Sequence, residues 1–431
     1  MSGNWYGRVW RWHFYAGLIA LPFVLLLSAT GMVYLFKPSL DSWQERAYDH
    51  LALSGPTRSL DDQVAAARSA LPQARVRGVE WRADPADAAR ILMLDGTGAP
   101  IRVYVRPDDL SVLAIVPERD RISEVAKRIH GELLVGETGA IVIETVGAWG
   151  IVLFGTGLYL WWPRGRGLAG VLYPRLRGGR VWRDLHAVTG VWVSVFALFF
   201  LVSALPWTKV WGGALKQAEA YAAGKSGDWT TGPASEHAEH MHQLADASEP
   251  QPSAIGYAEV AARAAALDLA EPVLILPPSG HQPHWVIRSD SQNRMLRDSV
   301  EVDSATGAPA GGKGFADKML LDRIVGVTTS MHEGHLFGPL NQIFGLVTGL
   351  ALTTMAISAA AMWLGRRRPG LGAPPPARAG RGAAVVAAGV LVVAVLLPTF
   401  GASLAAVMLL ERLALRRIAP VARWLGLVGV R

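Results

Sequence analysis

Five apolar runs decide what this chain can fold into. Phe14–Phe36, Ala187–Trp207 and Leu340–Leu364 carry no charge, and Ala140–Trp162 carries only Glu144. Ala383–Leu410 is uncharged too but contains Pro398. A hydrocarbon core of ~30 Å is crossed by about 20 helical residues, so each run is long enough to span a membrane. The expected fold is therefore an α-helical membrane bundle of four core spans plus a fifth C-terminal apolar segment. The first run follows Arg8 and Arg11, as a signal peptide would. It is longer than an ordinary signal core and has no convincing cleavage site, so it reads as a retained anchor.

Charge placement orients the bundle. The net charge is +7, and the segment 163–184 holds six arginines against one aspartate, while 365–381 holds five arginines and no acid. Arginines beside spans stay in the cytoplasm. Both segments, together with Arg8 and Arg11, satisfy that rule if the N-terminus is cytoplasmic and the first four runs cross. Segments 38–139 and 208–339 then lie outside, in the periplasm of a bacterial inner membrane. These basic loops are too short to fold as nucleic-acid-binding modules, so no nucleic acid is expected. The tail conflicts with the rule. A single crossing by Ala383–Leu410 would put Arg412, Arg416, Arg417, Arg423 and Arg431 outside, yet 28 residues are too few for two full crossings. Its topology stays open at this point.

The reading divides the chain into a first span (1–37), an outer domain (38–139), a second span (140–163) and a basic loop (164–184). A third span (185–207), a second outer domain (208–339), a fourth span (340–365), a cytoplasmic loop (366–382) and an apolar helix with a basic tail (383–431) follow. Both outer segments read as small α+β domains. Ser59–Pro72 has a capping serine and apolar residues at helical spacing, and "ARILMLDG" and "IRVYVRPDDLSVLAIV" alternate and turn like a hairpin. The second segment repeats this order, with "GYAEVAARAAALDL" as helix and "HWVIRSD" and "DSVEVDSATGAPA" as strands. Between them, Gly224–Pro252 is a polar loop or insertion.

The chain repeats itself. A shift of 202 residues lays His130 on His332, Leu134 on Leu336, Gly136 on Gly338, Gly147 on Gly349, Trp161 on Trp363 and Arg164 on Arg366 without a gap. A shift of 173 lays His13 on His186, Gly17 on Gly190 and Phe23 on Phe196. Both halves enter the membrane in the same direction, so the repeat is parallel and its expected axis runs along the membrane normal. A two-fold axis brings equivalent positions together. His13 should then face His186 near the inner surface, and His130 should face His332 near the outer one. Two histidines facing across a bundle can supply both axial ligands of one b-type haem, and two such pairs give two haems. The chain has no cysteine, so covalent haem attachment, iron–sulfur clusters and disulfides are excluded. A lone histidine at a membrane interface is ordinarily just a polar group; four in two equivalent pairs carry the argument. His335 competes with His332, but the ungapped repeat aligns it with Leu133, which favours His332.

Arg11 and Arg183 stand near the inner pair, and Lys127 and Arg128 near the outer. They read equally well as partners of haem propionates or as ordinary snorkelling flanks. "EHAEHMH" (236–242) reads as a solvated polar loop before a metal contact, and "GHQPHW" (280–285) is weaker. "GRGLAG" (165–170) fits G-x-G-x-x-G but follows a span and lacks the βαβ setting of a dinucleotide site. Trp161, Trp162 and Trp363 read as interfacial belt residues.

The segments "WRWHFYAGL…SATGMVYLF", "RIHGELLVG…GTGLYLWWPR", "WRDLHAVTGVWVSVFAL" and "MHEGHLFG…GLVTGLAL…MWLGRR" resemble the PepSY-associated transmembrane family over about residues 5–366. The resemblance is strongest to the di-haem members that act as ferric-siderophore reductases. It implies two PepSY-like outer domains, two bis-His b-type haems on His13, His130, His186 and His332, and electron delivery to a ferric siderophore or other ferric chelate in the periplasm. The electron donor, a quinol or a cytoplasmic reductase, is not legible. Two other readings compete: a membrane-anchored PepSY binding or regulatory module without redox activity, and an iron-chelate permease. The permease lacks the broken helices and midplane polar sites that transporters use.

Overall fold

The computed structural model describes residues 4–163, 169–175, 178–222, 251–280, 282–366, 370–374 and 383–427. They divide into two compact units: residues 1–32, 128–234 and 343–431 form one, and 33–127 with 235–342 form the other. The polar stretch at 224–250, including His237, His240 and His242, lies outside the described residues, as do His281, Arg164 and most of "GRGLAG".

The first unit holds the long apolar helices. These are α1 (Asn4–Tyr34), α5 (Glu137–Trp161), α6 (Val181–Ala204), α10 (Pro339–Leu364) and α12 (Pro398–Leu410). With short extensions, five helices are long and apolar enough to cross a membrane. The protein is a multi-pass membrane protein. The lone acid of the second run, Glu144, is buried, and its oxygens accept from the backbone N–H groups of Val210 (2.8 Å) and Trp211 (3.0 Å). Those amides open α7 (Val210–Ala222). A carboxylate there satisfies amides that have no intrahelical partner and faces the positive end of the helix dipole.

The fifth run is not one helix. It breaks at Leu397 into α11 (Ala383–Leu396) and α12, with Pro398 opening the second. Proline is tolerated there because a first-turn residue needs no N–H donor. Leu397 and Phe400 pack with Ala148, Trp149 and Val152 of α5. Trp149 donates to Ser403 at 3.0 Å and Trp211 to the Leu396 carbonyl at 3.1 Å. At the other end, Leu371 N–H donates to the Trp424 carbonyl at 2.8 Å. Arg11 donates to the Pro374 and Gly426 carbonyls at 2.5 and 2.8 Å, and Tyr15 to that of Leu425 at 2.5 Å. The segment thus leaves and returns at the same end of the unit. Its first arm, with 14 residues, rises roughly 21 Å at 1.5 Å per residue, short of a full crossing. The two arms form a hairpin, and the tail joins Arg11 at one end of the unit.

The second unit is built on one sheet. Its eight strands are β1 (Arg75–Trp81), β2 (Ala89–Leu94), β3 (Pro100–Val105), β4 (Val112–Pro117), β5 (Val273–Leu276), β6 (Trp285–Ser289), β7 (Ser299–Val302) and β8 (Pro309–Lys313). They run antiparallel in the order β4-β3-β2-β1-β5-β6-β7-β8. Residues 38–139 and 208–339 each supply a helix and a four-strand meander; the helices were expected, and β1 and β5 add strands to those read from the sequence. The two meanders do not stand apart, however, because β1 pairs with β5, Val79 opposite Ile275. That pairing covers the two edges that would otherwise expose unpaired backbone.

One face of the sheet packs on α3 (Leu60–Ala70) and α8 (Tyr257–Ala264). Val64 and Ala67 meet Val79, Ile91 and Val103, and Val260 and Ala264 meet Ile275 and Ile287. Ser59 caps α3, its hydroxyl accepting from Asp62 N–H at 3.1 Å. The opposite face carries Glu80, Arg90 and Arg102, all buried. Arg102 pairs with Glu80 at 2.6 Å and Glu118 at 2.7 Å; Arg90 pairs with Glu45 at 2.9 Å and Asp49 at 2.7 Å. Glu45 lies at the end of α2 (Lys37–Glu45), which covers this face.

Candidate functional site

The structure brings His13 of α1 and His186 of α6 together. Their ring centres are 6.4 Å apart and their planes stand at 80°. Each ring is held at Nδ1. His13 Nδ1 lies 3.0 Å from Thr156 Oγ1 on α5, and His186 Nδ1 lies 3.0 Å from the Met355 carbonyl on α10. A carbonyl only accepts, so the His186 proton sits on Nδ1. The Thr156 hydroxyl donates its own proton to the Val152 and Leu153 carbonyls at 2.9 and 3.0 Å, which leaves its lone pair to accept from His13 Nδ1–H. Both rings therefore present Nε2 as the basic nitrogen. Gly157 lets His13 approach: a Cβ there would stand 3.3 Å from His13 Cε1.

This donor set, two imidazoles 6.4 Å apart with Nδ1 engaged and Nε2 presented, would fit a metal or haem iron held by the two rings. The separation also lies within the ~4.5–7 Å of an edge-to-face ring pair; the engagement of both Nδ1 atoms is what favours ligation.

His130 is on α4 (Ile122–Glu132) and is held in the same manner. Its Nδ1 lies 3.0 Å from Thr30 Oγ1, whose hydroxyl donates to the Leu26 carbonyl at 2.8 Å. A Cβ on Gly31 would stand 3.3 Å from His130 Cε1. Burial pushes the imidazole's pKa down, so the ring is neutral and fit to ligate. After His130 the chain turns through left-handed Leu133, Leu134 and Gly136, the last at φ 64°, before α5 begins.

His332 ends α9 (Leu320–His332) in the second unit, so it and His130 are described separately. Gly338, six residues on, has φ 57°, close to Gly136. Glu333 pairs with Arg294 at 2.8 Å. His335 Nε2 is buried with no hydrogen-bond partner among the described residues. Burial lowers the His335 pKa, and Lys37 and Arg294 lower it further against the pull of Glu333. The geometry does not choose between His332 and His335.

The basic residues near the histidines have protein partners of their own. Arg11 is occupied by the Pro374 and Gly426 carbonyls and lies over the Tyr15 ring at 5.1 Å. Arg183 is 3.5 Å from Asp184, whose fully buried carboxylate is gripped by Arg175 at 2.6 and 2.9 Å. Arg128 pairs with Glu132 and Lys127 with Glu124. Trp161 and Trp363 donate their indole N–H to the Val171 and Leu371 carbonyls, each at 3.0 Å, clamping the loops that follow their spans. Sequence reasoning missed Thr30 and Thr156. The signal available was the Thr-Gly dipeptide that each shares, one residue pair holding and clearing a ring.

Elsewhere, His50, Asp84 and Asp87 lie close enough to hold a cation. Arg82 already bonds Asp87 at 3.0 Å, so the group is closed by an internal cation.

A family model described as the PepSY-associated TM region matches residues 10–366. No curated protein matches the chain.

Proposed function

The chain belongs to the PepSY-associated TM family, and from that premise we propose that it is an inner-membrane oxidoreductase that carries electrons outward to ferric siderophores or related ferric chelates. The observation that carries this reading is the His13–His186 pair, at 6.4 Å with both Nδ1 atoms engaged. Under this reading two b-type haems are held, one by His13 and His186 and one by His130 and His332. Bound haem supplies reversible one-electron chemistry. The rest is the protein's work. Thr156, Met355 and Thr30 orient the rings. The apolar helices keep water from the path, and two centres near opposite faces divide ~30 Å of hydrocarbon into shorter hops.

The second centre then stands near the outer face, with the sheet unit in the periplasm and the N-terminus in the cytoplasm. The return of the arginine-bearing tail to the end that holds Arg11 supports that orientation, since Arg11 and the tail's described arginines then lie on one side. The substrate step is Fe(III)–chelate plus one electron giving Fe(II), which the chelator binds less well and releases. A quinol or a cytoplasmic reductase supplies the electron. No general acid or base is required.

The test is an absorption spectrum of the detergent-purified protein, oxidised and then dithionite-reduced, with haem stoichiometry. Two haems per chain with sharp reduced bands, reoxidised on addition of a ferric siderophore, are expected. A colourless protein from haem-supplied cells would overturn the reading and leave an anchored binding module.

A further inference from the structure

Four helix turns in the bundle share one design. Thr30 donates its hydroxyl to the Leu27 carbonyl at 3.3 Å, Thr156 to Leu153 at 3.0 Å, Ser203 to Phe200 at 3.2 Å and Ser358 to Met355 at 2.9 Å. Such back-bonding is common in helices and alone means little. Their positions carry more. The 173-residue shift that takes His13 to His186 takes Thr30 to Ser203, and the 202-residue shift that takes His130 to His332 takes Thr156 to Ser358. The residue after the hydroxyl is glycine in the first two (Gly31, Gly157) and alanine in the second two (Ala204, Ala359). Three histidine rings end on these turns. His130 is on Thr30, His13 is on Thr156, and His186 is on the Met355 carbonyl that Ser358 also reaches.

We propose that Thr30 and Thr156 are positioning residues for His130 and His13, and Ser358 for His186 through the Met355 carbonyl, fixing each ring with its proton on Nδ1 and setting how strongly its Nε2 donates. The inference rests on the haem reading above and adds to it a control of potential. An acceptor on Nδ1–H makes an imidazole the more electron-rich ligand, which favours ferric over ferrous iron. The two halves do this differently. Thr156 accepts the His13 proton on its oxygen, whereas His186 donates straight to a backbone carbonyl. One ring of the inner pair is thus tunable by a side chain and the other is anchored to the helix itself.

The test is redox titration and low-spin EPR of the full chain in detergent, comparing wild type with Thr156→Val, Thr156→Ser and Thr30→Val. Valine keeps the shape of threonine and removes the acceptor. Loss of a group that holds a metal ligand commonly weakens that ligand about tenfold or more; a tenfold loss of ferric preference raises a one-electron potential by about 59 mV. Thr156→Val should move one potential upward by that order and leave the other in place, and Thr156→Ser should restore it. Thr30→Val should move the second potential alone. Unchanged potentials and EPR signals in both valine variants would overturn the proposal.

If Thr156→Val fails to accumulate, nitrogen NMR of His13 in haem-free wild-type protein decides: protonation at Nδ1 supports the proposal, protonation at Nε2 overturns it. A wild-type protein that binds no haem overturns the functional reading instead, while that NMR result still reports on the hydrogen bond.

Discussion

His50 sits at φ 51° and turns Nδ1 onto Asp84 Oδ2 at 2.7 Å, with Asp87 Oδ1 at 3.8 Å. The hydrogen bond to Asp84, then the charge of Asp87, raises its pKa above the ordinary histidine value. A raised pKa stabilises the fold below that ordinary value, and the contribution disappears as pH rises through the folded one. Proton NMR titration of His50 should give a midpoint above the ordinary 6.5, and Asp84→Asn should bring it back toward that value. An unshifted midpoint in the wild type would refute the pairing. Glu333 behaves oppositely. Burial would raise its pKa, but the Arg294 charge and hydrogen bond outweigh that and hold it down to about 2. Its contribution is present above the ordinary carboxylate range and is lost as pH falls toward 2. At this scale the histidines were legible because the repeat marks them twice. The hydroxyls that hold them were not, because a threonine in a helix ordinarily bonds only its own backbone. Which neighbour adds a second bond is decided by helix packing, which a linear reading does not contain.

Between elements, the charged face of the sheet is the part most exposed to a single change. Arg102 makes the shortest ion pairs to both Glu80 and Glu118, at 2.6 and 2.7 Å, and all three are buried or nearly so. Arg102→Met leaves two carboxylates without their main partner. Removing one member of a buried pair costs about 3–5 kcal/mol, so a clear fall in the melting temperature is expected, with far-UV dichroism showing lost strand content on heating. A variant melting like wild type would show that water reaches this face. Glu118 gives the pH sense. Desolvation would raise its pKa, but Arg102 and Arg121 pull it down to about 2, so stability should fall in acid as pH drops below the ordinary carboxylate range. The same charges explain what the sequence hid. β2, β3 and β6 alternate or run apolar and were readable. β1, "RVRGVEW", places Glu80 on the face that α2 covers, and its partners are Arg90 of β2 and Arg102 of β3, outside the strand itself. A strand whose polar face is buried by remote opposite charges has no local signature. The break at Pro398 was visible in the sequence; its consequence, two arms returning to one end, required Trp424 and Gly426 to be seen against residues 371–374 and Arg11.

For the molecule as a whole, the proposed function ties the direction of electron flow to which end of the bundle is which. The tail's return makes a concrete claim: a reporter enzyme fused after residue 427 should read cytoplasmic, matching one placed at the N-terminus, and a periplasmic signal would overturn the assigned orientation. If that orientation holds, the two histidine pairs are not interchangeable. His130→Ala or His332→Ala should remove one haem of two, keep the His13–His186 centre and its reduced spectrum, and abolish reduction of an added ferric siderophore, because electrons reaching the inner centre have no outer step to take. His13→Ala should remove the other haem and slow reduction by the physiological donor. It should still let a small soluble reductant drive the remaining outer centre. This asymmetry distinguishes a conduit from a protein that merely binds haem. The His332 variant also decides between neighbours: if His335→Ala costs the outer haem and His332→Ala does not, the ligand is the residue that carries the unpartnered buried nitrogen. If either variant lacking the outer haem retains full ferric reductase activity, the outward path through that centre is refuted.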